Sequence, residues 1–182
     1  VAWPQPQAYR RHVFWCDPAS DALDALLAAD YVLHHSQSQP RWSDALLTAL
    51  LPDLGLNGHL HKPLLGLSIG MRRKLRLACA LASGAELTLM DEPFAALDAI
   101  TREDLQRDFL ALCQAQGTAV LFVTHDMAEA VYLADHVSLM HAGRIQAPLH
   151  IALPRPRQSA MRYTPAFNAL CEQLRHAMDA TL

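Results

Sequence analysis

The sequence lacks the features that would favour a membrane-spanning, secreted or nucleic-acid-binding protein. It contains no run of about eighteen apolar residues, so no segment is predicted to cross a bilayer. Its first residues lack the charged, apolar and small-residue order of a signal peptide. Fifteen basic side chains stand against 18 acidic ones, and the net charge of -3 provides no basic field for nucleic acid. We therefore expect a cytoplasmic protein, either free or held at a membrane by a partner.

Cysteine is scarce as well. Four cysteines are spread through the 182 residues without a CxxC pair, and the ten histidines form neither an HExxH motif nor a zinc-type array. We predict reduced, mostly buried cysteines and no structural metal site. With 52% hydrophobic and 18% charged residues, the composition is that of a globular protein with one substantial core.

Apolar runs and capping residues predict an alternation of strands and helices. Ser43 and Ser68 each precede helical apolar spacing, and Thr101 has Asp104 three residues later in the manner of a capping box. The predicted strands are residues 12–16, 87–90, 119–123 and 137–140, with a hairpin partner in 145–151. The predicted helices are residues 19–35 (capped by Ser20 or Asp21), 43–55, 69–82, a longer helix after Thr101, 128–134 and 165–178.

One of these strands indicates the type of sheet. Residues 119–123 are apolar at every position, which favours a parallel strand covered on both faces over a half-exposed one. The alternating order of strands and helices predicts an α/β domain with a mostly parallel sheet. The largely helical first half of the chain is predicted to form a lobe beside it.

Polar side chains follow two of the predicted strands. Asp91 and Glu92 come directly after residues 87–90, and His125 follows residues 119–123. In an open parallel sheet, ligands bind beyond the carboxyl ends of the strands. A carboxylate pair there can hold a hard cation and activate a water, while a histidine contacts a phosphoryl oxygen. The set fits metal-assisted phosphoryl transfer, although each piece alone is commonly a solvated strand end or a turn residue.

Four segments resemble motifs of the ATPase subunits of ATP-binding-cassette (ABC) transporters, in that family's order and spacing. Residues 67–71 resemble the LSGGQ signature, 87–93 the Walker B strand with its catalytic glutamate, 95–98 the D-loop and 123–126 the H-loop. The tail around residues 153–157 is most similar to the ATPases of nitrate, sulfonate and taurine importers.

The resemblance implies an incomplete P-loop NTPase domain, which is an α/β fold with a mostly parallel sheet and a helical subdomain. Residues 1–18 would be what remains of the ATPase core up to the Q-loop region. Residues 19–83 would form the helical subdomain, ending in the signature helix. The core with Walker B, D-loop and H-loop would span residues 84–147, and residues 148–182 would form a C-terminal tail.

The resemblance also implies roles for individual residues, with ATP and Mg²⁺ as ligands. Asp91 would help to hold Mg²⁺ through its water shell, Glu92 would polarise the attacking water, and His125 would contact the γ-phosphate. Asp98 would lie at the interface with a second ATPase subunit, identical or different, and would join the two sites.

The signature segment would act on the nucleotide of that second subunit. Ser68 and the amides near Gly70 would face its γ-phosphate, because a helix N-terminus offers N–H groups and the positive end of the helix dipole. Hydrolysis would close and reopen the dimer and drive transmembrane permease subunits through the helical subdomain, at the inner face of the cell membrane. A periplasmic solute-binding protein would be an indirect partner, and nucleic acid would not be one.

The sequence departs from the family pattern in three places. It has no glycine-rich loop ending in Lys-Ser/Thr, and its two lysines, Lys62 and Lys74, follow no such loop. Ile69 replaces the first signature glycine, and Trp15 falls near the position of the Q-loop glutamine. We therefore expect an N-terminally truncated chain without Walker A that does not bind ATP tightly by itself.

Three hypotheses follow for the function. The first is the ATPase subunit of an ABC importer, and the second is a degenerate, non-catalytic subunit that lends its signature helix to a partner's ATP site. A DNA-repair or chromosome-structure ATPase head is the third, disfavoured because no sustained heptads occur. Under all three, the basic side chains of the signature helix are predicted to form a solvated or interface face. These are Arg72, Arg73, Lys74 and Arg76.

Overall fold

A computed structural model describes residues 12–16, 23–95 and 97–179 of the chain. The chain divides into two compact units, Val1–Val123 and Thr124–Leu182, which are taken in turn. The helices are α1 (Ala28–Ser38), α2 (Asp44–Asp53), α3 (Ile69–Ala82), α4 (Ala99–Gln116), α5 (Met127–Leu133) and α6 (Pro165–Asp179). The strands are β1 (Val13–Cys16), β2 (Leu87–Asp91), β3 (Ala119–Val123), β4 (His136–Val137), β5 (Met140–His141), β6 (Arg144–Ile145) and β7 (Leu149–His150).

The first unit is built on a parallel sheet of β1, β2 and β3 in that order, which confirms the predicted fold class. In the register of the sheet, Trp15 lies opposite Leu89 and Leu89 opposite Leu121. Phe14 and Met90, on the other face, are 2% exposed and belong to the core.

The face that carries Trp15 is open. Trp15 is 60% exposed and Leu121 is 58% exposed, and exposure alternates along β3. The prediction that β3 is covered on both faces was therefore wrong. A continuous apolar run is typical of a parallel strand that is buried on both faces of its sheet. In the described part of the chain, other elements pack against only one face of the sheet that contains β3.

Capping side chains place the helices of this unit. Ser43 Oγ accepts the Leu46 amide at 3.2 Å and starts α2, as predicted. Helix α4 begins at Ala99, before the predicted cap Thr101, because the carboxylate of Asp98 accepts the Thr101 amide at 3.0 Å.

Helix α1 begins later than predicted. Its first residue is Ala28, whose amide donates to the carbonyl of Lys62 at 2.9 Å, while Leu27 forms an antiparallel bridge with Pro63. This pairing holds the preceding residues out of a helix. Ser20 and Asp21, the predicted caps, lie outside the described residues.

The second unit is organised around the buried helix α5. Val131 and Tyr132 are fully buried, and the guanidinium of Arg157 donates to their carbonyls at 3.2 and 2.8 Å and to that of Ala134 at 2.6 Å. The tail thus satisfies carbonyls at the end of α5 that have no partner within the helix. The predicted strand 137–140 is replaced by two short antiparallel pairs, β4 with β7 and β5 with β6.

Two predictions concern the whole chain. The four cysteines are all described, and no disulfide joins them; Cys16 and Cys79 are buried. Burial raises the pKa of the Cys79 thiol well above its usual range, so this side chain behaves as an apolar group. None of the helices among the described residues is long and apolar enough to span a bilayer.

Candidate functional site

Two carboxylates stand at the carboxyl end of β2. Asp91 is the last residue of the strand, opposite Val123 in the register, and its side chain is exposed. The amide of Glu92 donates to the Val123 carbonyl at 2.9 Å, so the backbone pairing continues one residue past the strand. The predicted acidic pair therefore lies at the edge of the sheet where ligands of parallel sheets bind.

The backbone at Glu92 has an unusual conformation. Its φ of 43° lies in the left-handed region, which few residues other than glycine adopt. Pro93 follows and is buried, and the Ala95 amide donates to the Glu92 carbonyl at 3.1 Å. The chain thus leaves β2 through a tight turn at the predicted catalytic residue.

Arg73 of helix α3 reaches this turn. Its guanidinium donates to the Pro93 carbonyl at 2.7 Å and to the Glu92 carbonyl at 3.2 Å. Arg73 is 5% exposed and Arg76 is 4% exposed. The prediction that the basic side chains of this helix form a solvated or interface face was therefore wrong for both.

The reason for the burial of Arg76 is a carboxylate that the sequence did not reveal. Asp24, 7% exposed, accepts from Arg72 at 2.8 Å and from Arg76 at 2.5 Å. A buried charge must be paired and hydrogen-bonded, and here one carboxylate serves two guanidinium groups. These two ion pairs join the segment before α1 to helix α3.

The start of helix α3 is the predicted signature segment. The helix begins directly after Ser68, as the sequence predicts, and Ser68 is its N-cap, with its hydroxyl accepting the Met71 amide at 3.2 Å. Ser68 and Ile69 are exposed. The first amides of a helix have no partner inside it, so this end presents donors and positive potential.

Gly70 brings this helix start against the start of α4. A Cβ on Gly70 would lie 3.1 Å from Cγ2 of Thr101, so the two helices approach as closely as a residue without a side chain allows. Thr101 is the residue whose amide is capped by Asp98. That bond lowers the pKa of the Asp98 carboxyl, which keeps this exposed side chain ionised at neutral pH.

His125 belongs to the second unit and is exposed. It is flanked by an ordered turn, because the Asp126 amide donates to Thr124 Oγ1 at 3.1 Å and Asp126 caps α5 by accepting the amides of Ala128 and Glu129. The other five predicted site residues lie in the first unit. Within it, helix α3 contacts both the turn after β2 and the start of α4.

The acidic pair suits a hard cation. No group of three or more histidine, cysteine or acid ligands occurs among the residues described here. Mg²⁺ at a nucleotide site commonly keeps waters and takes one or two carboxylates together with phosphate oxygens. Exposed Asp91 with Glu92 beside it provides that kind of donor set.

The parallel sheet with carboxylates at its carboxyl edge defines an α/β protein of the class whose ligands bind at that edge. Comparison with known proteins identifies the family. Residues 4–95 match the family model described as ABC transporter. The chain belongs to the ABC transporter family, which confirms the resemblance found in its motifs.

Individual relatives agree with this assignment. The chain is 43% identical over 135 residues to an aliphatic sulfonates import ATP-binding protein of Ralstonia nicotianae, covering 74% of this chain and 46% of that protein. A similar protein of Pseudomonas fluorescens is 44% identical over 126 residues, covering 69% and 48%. The chain therefore spans about half the length of the curated relatives it matches. A solved ATP-binding subunit of an ABC transporter shares the fold with a TM-score of 0.70 at 24% identity, covering 93% of this chain and 71% of that one.

Proposed function

We propose that this chain serves an ABC importer as its ATP-binding subunit, in which hydrolysis of Mg-ATP energises the uptake of a solute. The observation that carries the proposal is that helix α3, whose start is capped by Ser68, also contacts the turn that bears Glu92 through its Arg73 side chain. Membership of the ABC transporter family and relatives named for sulfonate import support the importer class.

The strand end is assigned to the metal and the water. Asp91, exposed at the end of β2, holds Mg²⁺ through the water shell of the ion. Glu92 follows Asp91 in a left-handed backbone conformation and orients the attacking water as a general base. His125 contributes a hydrogen bond to the γ-phosphate, and Mg²⁺ held at Asp91 would supply positive charge to the phosphoryl oxygens.

The start of helix α3 is assigned to a nucleotide held by a second ATPase subunit. Ser68 and the amides of the first turn, near Gly70, face its γ-phosphate. Ile69 is 47% exposed at the same helix start, so a branched side chain stands where the family has a glycine. Asp98 caps the neighbouring helix and lies at the interface with the second subunit.

The remaining assignments concern the assembly. Residues 19–83 act as the helical subdomain that contacts the transmembrane permease subunits, and residues 84–147 carry the core motifs, with 148–182 as the tail and 1–18 preceding the subdomain. The chain works at the cytoplasmic face of the membrane. A periplasmic solute-binding protein delivers the solute to the permease and is an indirect partner.

A second candidate differs in where the phosphate-binding loop comes from. The sequence has no glycine-rich loop followed by lysine and serine or threonine, and its lysines are Lys62 and Lys74. A phosphate cradle of that type supplies the backbone amides and the lysine that grip the β- and γ-phosphates. In the second candidate, the chain is non-catalytic and lends its α3 start to an ATP site that a partner completes.

Steady-state ATP turnover of the assembled transporter separates the two candidates. Wild type, Glu92→Gln and Ser68→Ala are compared with Glu172→Gln, an exposed carboxylate on α6, as the matched control. A catalytic subunit loses about 10²–10⁴-fold with Glu92→Gln, which is the usual contribution of a general base. If the chain is a non-catalytic subunit, Ser68→Ala lowers ATP turnover and Glu92→Gln does not. Wild-type rates with both substitutions would contradict both candidates.

A further inference from the structure

The turn at Glu92 needs an external constraint. A non-glycine residue in the left-handed region costs on the order of 1–3 kcal/mol and persists only where its surroundings fix it. The position before proline is restricted further. The backbone supplies two hydrogen bonds here, from the Glu92 amide to Val123 and from the Ala95 amide to the Glu92 carbonyl.

Arg73 supplies the third constraint, and it comes from another element. One nitrogen, Nη1, donates to the successive carbonyls of Glu92 and Pro93. Because a guanidinium is rigid and planar, it fixes the direction of both carbonyls at once. The side chain is buried, so these charge-assisted bonds do not compete with bulk water.

We propose that Arg73 is a positioning residue for ATP hydrolysis: it holds the backbone of Glu92 in its left-handed conformation and so sets the direction of the Glu92 carboxylate. This inference rests on the proposed function for its catalytic consequence. Arg73 lies five positions after Ser68, so one helix carries both the start assigned to a phosphate and the contact to the Glu92 turn.

Arg76 provides a matched control for burial on the same helix. It is as buried as Arg73, and its guanidinium pairs with the carboxylate of Asp24. Arg73→Met keeps the apolar stem and removes the donors, and Arg73→Lys keeps a cation with a single donor head. Arg76→Met perturbs an equally buried arginine whose ion pair is with Asp24.

The first arm of the test is amide hydrogen exchange of the purified chain, normalised to global unfolding. Arg73→Met is expected to raise exchange of the Glu92 and Ala95 amides by about 10–100-fold, the equivalent of one lost hydrogen bond to a charged group. Arg73→Lys is expected to lie between wild type and Arg73→Met, and it carries the comparison if Arg73→Met does not fold. Equal exchange at these amides in Arg73→Met and Arg76→Met would overturn the proposal.

The second arm is ATP turnover of the assembled transporter. Arg73→Met is expected to lower kcat by at least about tenfold with KM unchanged, because the bonds to the turn act on the base and not on nucleotide binding. Arg76→Met is expected to keep the wild-type kcat. Wild-type kcat in Arg73→Met, in an assembly where Glu92→Gln is inactive, would overturn the positioning role. Faster exchange in Arg73→Met together with turnover that Glu92→Gln leaves unchanged would confirm the constraint on the turn and refute catalysis by this chain.

Discussion

Replacing Asp24 by asparagine should destabilise the first unit more than any other single change of one carboxylate among the described residues. The substitution keeps the shape of the side chain and removes its charge. Asp24 is 7% exposed and accepts from two arginines, at 2.8 Å from Arg72 and 2.5 Å from Arg76. After the change, two guanidinium groups of like charge face a neutral amide, and one of them is almost fully buried.

The magnitude follows from the loss of this buried charge. Breaking a buried ion pair by removing one partner costs about 3–5 kcal/mol, and a whole domain is stable by about 5–15 kcal/mol. Asp24→Asn is therefore expected to remove a large part of the stability. Asp30→Asn, which changes an exposed carboxylate of α1, is expected to stay within about 0.5 kcal/mol of wild type.

The assay is urea unfolding at low protein concentration, followed by tryptophan fluorescence and circular dichroism. A double-mutant cycle with Arg76→Met is expected to show a coupling energy of about 1–3 kcal/mol, because each substitution removes the same interaction. A loss below about 1 kcal/mol for Asp24→Asn, or no coupling to Arg76, would refute a network that ties the start of the lobe to helix α3.

Three further perturbations follow from the first unit. Gly84→Ala is expected to lower the free energy of unfolding by about 2–5 kcal/mol, because φ is 65° at this position and the new Cβ would meet the carbonyl and the Cβ of Arg41. Gly117→Ala, with φ 63° and open space, should cost only about 1 kcal/mol; equal losses in urea unfolding would contradict the steric argument. Burial lowers the pKa of His35 to about 4, so the unfolded chain binds a proton more readily than the folded chain between pH 6.5 and 4, and the free energy of unfolding should fall by about 1–2 kcal/mol as the pH drops through that window. His35→Gln should remove this pH dependence, and an unchanged pH profile of stability in that variant would contradict the prediction. Leu121→Lys, at an exposed apolar position in the middle of β3, should reduce self-association of the purified chain measured by light scattering, and unchanged association would show that the open sheet face is not responsible.

The parts of the fold that were predictable are those whose causes are local. Ser43 and Ser68 cap their helices through bonds to amides three residues away, and residues 87–90 and 119–123 read as strands from their own composition. The candidate acidic pair and His125 were chosen by their position after predicted strands. Such signals sit within a few residues of the feature that they predict.

The parts that were not predictable depend on distant partners. Asp24 binds arginines 48 and 52 positions away, and Arg73 reaches carbonyls 19 and 20 positions away. Sequence spacing shows the charges of the helix but not the groups that pair with them. The left-handed backbone conformation of Glu92 was missed for the same reason, because one of the hydrogen bonds at its carbonyl comes from Arg73 of helix α3. The exposure of one face of β3 does not follow from residues 119–123 alone, because an apolar run reports what a strand needs and not what covers it.

The central claim of the proposed function is that Glu92 acts as the base and His125 as a hydrogen-bond donor in the same hydrolysis reaction. The most direct test is a double-mutant cycle on ATP turnover of the assembled transporter, with Glu92→Gln, His125→Ala and both together. Groups that work on the same γ-phosphate have non-additive effects, so the double variant is predicted to be no slower than the slower single variant. If the two losses multiply as they do for independent sites, the two residues do not share a site and the account is wrong.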